Sequence, residues 1–145
     1  MSRTDSEKGF IAMSQRVVLV GHCGPDTSYL RFSVAAALPG ATVLGVDDAA
    51  ELAKAIDTGA DLLLINRLLD YGFEETEGVT LIRNLRLRHP ELKTMLVTNY
   101  PEVQNAAISA GAVGAFGKRE LGSPRVTQLL RDVLKIDAPD SSAVK

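Results

Sequence analysis

The sequence predicts a doubly wound α/β domain: five parallel strands with helices on both faces of the sheet. Three observations predict it. Short β-branched or leucine-rich runs recur five times, each is followed by a stretch with apolar residues at helical spacing, and Gly, Pro or Asp punctuates nearly every junction. Strict alternation of this kind needs right-handed crossovers, which lay each helix over a parallel sheet.

The elements follow in order. Residues 16–21, Arg-Val-Val-Leu-Val-Gly, form an apolar run with no polar alternation, the pattern of a strand buried on both faces. Gly24-Pro25-Asp26 ends it, and Asp26 or Thr27 is expected to cap a helix carrying Leu30, Val34 and Leu38, stopped by Pro39-Gly40. Residues 42–46 read as a short strand. Asp47 or Asp48 then caps a second helix with Leu52, Ala55 and Ile56, ended by Gly59. Asp61 leads into the Leu62, Leu63, Leu64, Ile65 strand, which closes on Asn66.

A polar, Gly-bearing loop over 70–78 precedes a helix with Val79, Leu81, Ile82 and Leu85, closed by Pro90. Residues 94–98 are the fourth strand, 102–110 the fourth helix and 112–116 the fifth strand. Ser123 as N-cap and Pro124 at the first helical position start a last helix through Val126, Leu129, Leu130 and Val133.

Length and charge narrow the function. At 145 residues there is room for one ordinary domain, expected over 16–135 between mobile polar tails at 1–15 and 136–145. Sixteen Lys and Arg against 18 Asp and Glu give a net charge of −2, which offers no attraction to nucleic acid or an anionic membrane. One cysteine excludes an intramolecular disulfide framework. With no CxxC or HExxH spacing and no long apolar segment near the start, a soluble cytoplasmic protein is expected, with its output supplied by another protein.

In doubly wound folds ligands gather at the carboxyl ends of the strands. Here those positions are His22 and Cys23, Asn66, Thr98, and Gly117-Lys118. Adjacent His22 and Cys23 invite a soft-metal reading with Asp26 or Asp70. Neighbouring loop ligands do not by themselves build a tetrahedral site, and two His and one Cys leave too few partners, so no metal site is expected. Oxidation of Cys23 would require an exposed thiol of lowered pKa, with Lys118 as the neighbour to lower it. The basic stretch 83–89 reads as a solvated helix face rather than a partner surface.

Over roughly residues 16–134 the chain resembles the receiver domain of bacterial two-component signalling, the phosphoacceptor module of response regulators, with a flavodoxin-like (βα)5 three-layer sandwich. The resemblance rests on the order and spacing of Asn66, of Thr98 in Leu96-Val97-Thr98-Asn99-Tyr100, and of Lys118 after Ala110-Gly111-Ala112 and a fifth strand. It implies that Thr98 is the switch hydroxyl and Lys118 the pocket lysine, and that Asn66 stands where the family keeps its reactive aspartate. A carboxamide cannot form an acyl phosphate and brings no charge to a cation. Aligning the Gly24-Pro25-Asp26-Thr27 turn places His22 and Cys23 in the family's acidic positions, with Gly21 next if the register slips by one, and no register restores two carboxylates.

Binding of Mg²⁺ is therefore expected to be weak or absent, and no cofactor is expected. Ala115 occupies the position of the family's aromatic switch, while Phe116 belongs to the opposite face and reads as core. Arg119 replaces a proline usual in the family, and the loop after Asn66 is longer than usual. Lys118 is expected to meet the Asn66 carbonyl and hold the pocket shut.

The resemblance implies a non-enzymatic, stand-alone receiver-like module that binds a signalling protein, such as a histidine kinase or an output protein. Its surface would be the fourth helix, fifth strand and fifth helix, which also allows homodimerisation. A phosphorelay receiver using Asp70 or an unusual donor is the alternative. A flavodoxin-like small-molecule binder is a third reading, although Gly21-His22-Cys23-Gly24 makes no flavin phosphate loop.

Overall fold

A computed structural model describes residues 15–70 and 72–135. Five strands, β1 (Arg16–Val20), β2 (Thr42–Val46), β3 (Leu62–Asn66), β4 (Thr94–Val97) and β5 (Gly114–Phe116), alternate with five helices, α1 (Gly24–Ala37), α2 (Ala49–Thr58), α3 (Gly78–Arg88), α4 (Pro101–Ala110) and α5 (Pro124–Leu134). A 3₁₀ turn, Lys118–Glu120, follows β5. All strands are parallel in the order β2-β1-β3-β4-β5, so the strand order reverses between β1 and β3. The expected tails, apart from Gln15, lie outside the described residues.

The pleat sorts the apolar runs into two cores. Val18, Val20, Leu63, Ile65, Leu96 and Ala115 face the layer of α2, α3 and α4, where Leu52, Ile82 and Ala107 meet them. Val17, Leu19, Leu62, Leu64, Met95, Val97 and Phe116 face the other way, against Leu30 and Val34 of α1 and Val126 and Leu130 of α5. Phe116 is fully buried there, as expected of a core residue on the face opposite to Ala115. Strands buried on both faces explain why the sequence shows unbroken apolar runs.

The caps follow the sequence reading except at α1. Asp48 accepts from Glu51 N at 2.7 Å, the Glu51 carboxylate accepts from Asp47 N at 2.7 Å, and Ser123 Oγ accepts from Val126 N at 3.3 Å. At α1 neither Asp26 nor Thr27 is the cap. The helix starts at Gly24 with Cys23 as N-cap and no side-chain cap bond, because Pro25 fits the first turn, where its missing N–H costs nothing. Thr27 Oγ1 instead donates to His22 O at 3.3 Å. That frees the Asp26 carboxylate for another contact.

The loop between β3 and α3 is more ordered than a polar linker. Leu68 and Glu77 form an antiparallel bridge, Leu69 N donates to Thr76 O at 2.9 Å, and Gly78 N donates to Arg67 O at 2.7 Å. The loop also reaches β2's exit, where Ala49 N donates to Gly72 O at 2.7 Å. Leu69 is buried against the core. Gly78 passes so close to the Asn66 backbone carbonyl that a Cβ would collide with it.

Candidate functional site

The exits of β3, β4 and β5 open into a cleft of about 280 Å³ that includes Asn66, Arg67, Thr98, Asn99, Tyr100 and Lys118. The strand register carries Asn66 to the end of β3 beside Val97, Thr98 follows directly, and Lys118 opens the turn after β5. Three of the residues singled out from the sequence therefore share one cleft. His22, Cys23 and Ala115 do not line it.

Asn66 Nδ2 donates to Leu68 O at 2.9 Å, which ties the carboxamide into its own loop. Thr98 is buried, and its Oγ1 accepts from Tyr100 N at 3.3 Å, while Gln104 Nε2 donates to Thr98 O at 2.7 Å and pins the start of α4 to the exit of β4. Thr98 N donates to Phe116 O at 2.9 Å, which extends the ladder one residue beyond β4. Arg119 N donates to Asn99 Oδ1 at 3.1 Å. The Arg67 guanidinium lies 5.0 Å from the centre of the Tyr100 ring, within cation–π range.

Lys118 does not hydrogen-bond to Asn66. Its Nζ donates to Asp26 Oδ2 at 2.5 Å across 92 residues of sequence, which corrects the expectation of an amide contact. A carboxylate outcompetes an amide oxygen for an ammonium because the bond is charge-assisted on both sides. The Lys118 ammonium in turn holds the Asp26 carboxyl below its ordinary range. Sequence reasoning missed this pairing. The available signal was that Asp26 is the sole carboxylate between the end of β1 and the end of α1.

Around the exit of β1 the geometry is closed. Val20 pairs with Ile65, so Gly21 stands opposite Asn66, one position earlier than His22 and Cys23. Gly21 has φ +74°, and the space a Cβ would need is taken by the Leu69 side chain. His22 is buried, with Nε2 2.9 Å from Leu64 O. A carbonyl only accepts, so Nε2 carries the proton and Nδ1 keeps a buried lone pair with no partner among the described residues. Burial, reinforced by the Lys118 charge, pushes the His22 pKa below the ordinary imidazole range despite the opposing bond to Leu64. Cys23 is exposed at the start of α1.

These residues do not fit the divalent cation that the fold implies. The donor set is a carboxamide already bonded to Leu68, a buried imidazole bonded to Leu64, and a glycine beneath Leu69, where a hard cation needs several anionic oxygens. Among the described residues no three His, Cys, Asp or Glu come together as a metal site.

A five-stranded parallel sheet in this order, with two helices on one face and three on the other, is the receiver fold. Solved structures similar to this chain carry it. The signal receiver domain of a DNA-binding response regulator from Colwellia psychrerythraea 34H matches with TM-score 0.70 at 9% identity, over 84% of this chain and 99% of that one. A two-component response regulator from Clostridium difficile matches with TM-score 0.67 at 14% identity, over 84% and 97%. The non-phosphorylated receiver domain of the stress response regulator RcsB from Escherichia coli matches with TM-score 0.65 at 17% identity, over 81% and 92%. No protein-family model and no curated protein matches the sequence. Among the described residues no helix is long and apolar enough to cross a membrane.

Proposed function

We propose that the chain is a receiver-like signalling module of the cytoplasm that performs no phosphoryl chemistry and acts by binding protein partners. The observation that carries this reading is Asn66 at the exit of β3, with its amide bonded to Leu68 O. No nucleophilic carboxylate stands there, and among the described residues no three His, Cys, Asp or Glu come together to hold Mg²⁺. Signalling then depends on which conformation the fold holds, not on an acyl phosphate.

The partner surface is α4, β5 and α5. β5 is an edge strand, with one side unpaired apart from Arg125 Nη2, which reaches Ala115 O at 3.4 Å. Ile108 and Val113, both exposed, flank it with apolar area. A histidine kinase, an output protein or a second copy of the chain fits such a face. Ala115, with no ring to swing, leaves it without an aromatic reporter of the pocket.

A second reading retains phosphorelay with an unusual acceptor. One observation favours it: Asp26, and not the exposed Asp70, is the carboxylate on Lys118. Intact-protein mass spectrometry after incubation with Mg²⁺ and acetyl phosphate tests both readings. An unchanged mass is expected, and a hydroxylamine-labile phosphoryl adduct that disappears in Asp26→Asn would install the second.

A further inference from the structure

The groove between α2 and α3 holds a void of about 150 Å³, away from the strand exits. Leu52 and Ile56 of α2 and Leu81 and Leu85 of α3 give it apolar walls, and Phe73 of the long loop closes one end. Small side chains at Ala49 and Ala53 leave the gap between the helices unfilled. Protein seams are otherwise close-packed, so an apolar void of this size is a seat for a further side chain. Charges sort to its two ends. Glu74 and Glu75 stand beside Phe73, with Glu75 Oε2 accepting from Asn84 Nδ2 at 2.7 Å, while Arg88 and His89 stand at the end of α3.

The chain itself supplies an occupant. Residues 10–13, Phe-Ile-Ala-Met, are an apolar run in an otherwise polar stretch ahead of β1, and they lie outside the described residues. Where they join the fold is fixed. Gln15 O accepts from Thr42 N at 2.8 Å, Arg16 N donates to Asp61 Oδ2 at 2.8 Å, and Arg16 Nε donates to Gly59 O at 2.6 Å. Gly59 caps α2, and its N donates to Ile56 O at 3.1 Å, so the segment starts beside the Ile56 end of the groove. Five extended residues reach about 17 Å from Gln15 to Phe10. That is sufficient, since α2 rises only about 10 Å between Ile56 and Ala49.

We propose that residues 8–13 fold back into the α2–α3 groove as an internal strap, with the Phe10 ring filling the void and Lys8 meeting Glu74 and Glu75. A cavity of this size lined by Leu, Ile and Phe accepts a benzene ring, the group that Phe10 carries. Charge sets the direction of threading. Residues 9–15 are uncharged and pass Arg88 and His89 without repulsion, and Lys8 then arrives at the acidic end, whereas the opposite direction would set Lys8 against Arg88. Phe73 belongs to the loop that leads from Asn66, and Gly72 O of that loop accepts from Ala49 N at the start of α2. An occupied groove therefore steadies the loop, and a partner that draws Phe10 out releases it.

The test is NMR of the full chain. Nuclear Overhauser contacts between the Phe10 ring and the methyl groups of Leu52, Ile56 and Leu85 are expected, unchanged on dilution. Phe10→Ser should remove them, shift the amides of 49–56 and 73–75, and quicken amide exchange there by about tenfold, the lower end of what burying one phenyl ring supplies. Amides of α1 and α5 should stay in place. Lys8→Glu should weaken the same contacts, most at low salt. Both substitutions precede β1 and leave the two cores intact, so folding is not at risk. Absence of the ring contacts, with Phe10→Ser shifts confined to its sequence neighbours, overturns the proposal. Contacts that appear between labelled and unlabelled chains and grow with concentration overturn it too, by giving the groove to a second copy. The acetyl phosphate result is expected to be the same in Phe10→Ser, so the strap and the phosphorylation-independent reading fail separately.

Discussion

Lys118 Nζ donates to Asp26 Oδ2 at 2.5 Å, joining the turn after β5 to the first turn of α1 across the top of the sheet. Both side chains are about one-third exposed, 35% and 31%, so the pair is a tether more than a source of stability. Exposed pairs contribute about 0–1 kcal/mol after solvent screening.

Asp26→Asn should therefore lower the unfolding free energy by less than about 1 kcal/mol at neutral pH. Its wild-type contribution has a defined sign with pH. The folded carboxyl titrates below the unfolded one, so stability is fully present above the ordinary carboxylate pKa and is lost as pH falls through the folded value. Urea midpoints of wild type and Asp26→Asn should converge in acid, and a constant gap down to strongly acidic pH would contradict the pairing.

His22 sets a second pH window. Its folded pKa lies below the unfolded value of about 6.5, so the unfolded state takes up a proton first and stability falls as pH drops below that value. His22→Gln keeps a donor for Leu64 O and removes the titration. Thermal unfolding from neutral pH to pH ~5 should give a falling midpoint in wild type and a flatter one in the variant, with parallel curves counting against a depressed imidazole.

Asn66→Asp should not create a phosphoacceptor by itself. The new carboxylate would face Gly21 beneath Leu69 and a buried imidazole, and the described residues hold no preformed group of three His, Cys, Asp or Glu for it to join in recruiting Mg²⁺. The readout is intact mass after acetyl phosphate with and without Mg²⁺; a Mg²⁺-dependent, hydroxylamine-labile adduct would show the donor set to be sufficient.

Gly78→Ala tests how the long loop is anchored. A Cβ at Gly78 would run into the Asn66 backbone carbonyl and Leu96 Cδ1, neither free to move away, and overpacking of this kind costs about 1–3 kcal/mol. Chemical denaturation should show that loss, along with altered amide shifts at Asn66 and Arg67. A neutral substitution would mean that the loop yields without resistance.

Partner binding through the β5 edge predicts that Ile108→Lys or Val113→Lys leaves the unfolding midpoint within about 0.5 kcal/mol of wild type, since both positions are exposed. Any self-association measured by sedimentation should weaken in the same variants. Lysines placed at these positions with no effect on association would move the interface elsewhere.

Much of the fold was legible in the chain because its signals are local. Unbroken apolar runs, the Asp48 and Ser123 caps and the Gly and Pro stops each act within a few residues, and all five strands and helices appear where those signals put them. Strand ends were less legible: β4 ends at Val97 rather than at 98 and β5 starts at Gly114 rather than at 112, because strand limits depend on a pairing partner that is remote in sequence.

The site divides in the same way. The sequence alone determined which functional groups the strand exits carry, and that Asn66 rather than a carboxylate ends β3. Only the tertiary structure decided their partners. Asp26 reaches Lys118 over 92 residues, Leu69 fills the space above Gly21, and His22 turns inward to Leu64 because a buried donor must find an acceptor wherever the fold supplies one. Residue identity fixes the chemistry a position offers, while its partner is set by whichever charge or carbonyl the packing brings within about 3 Å.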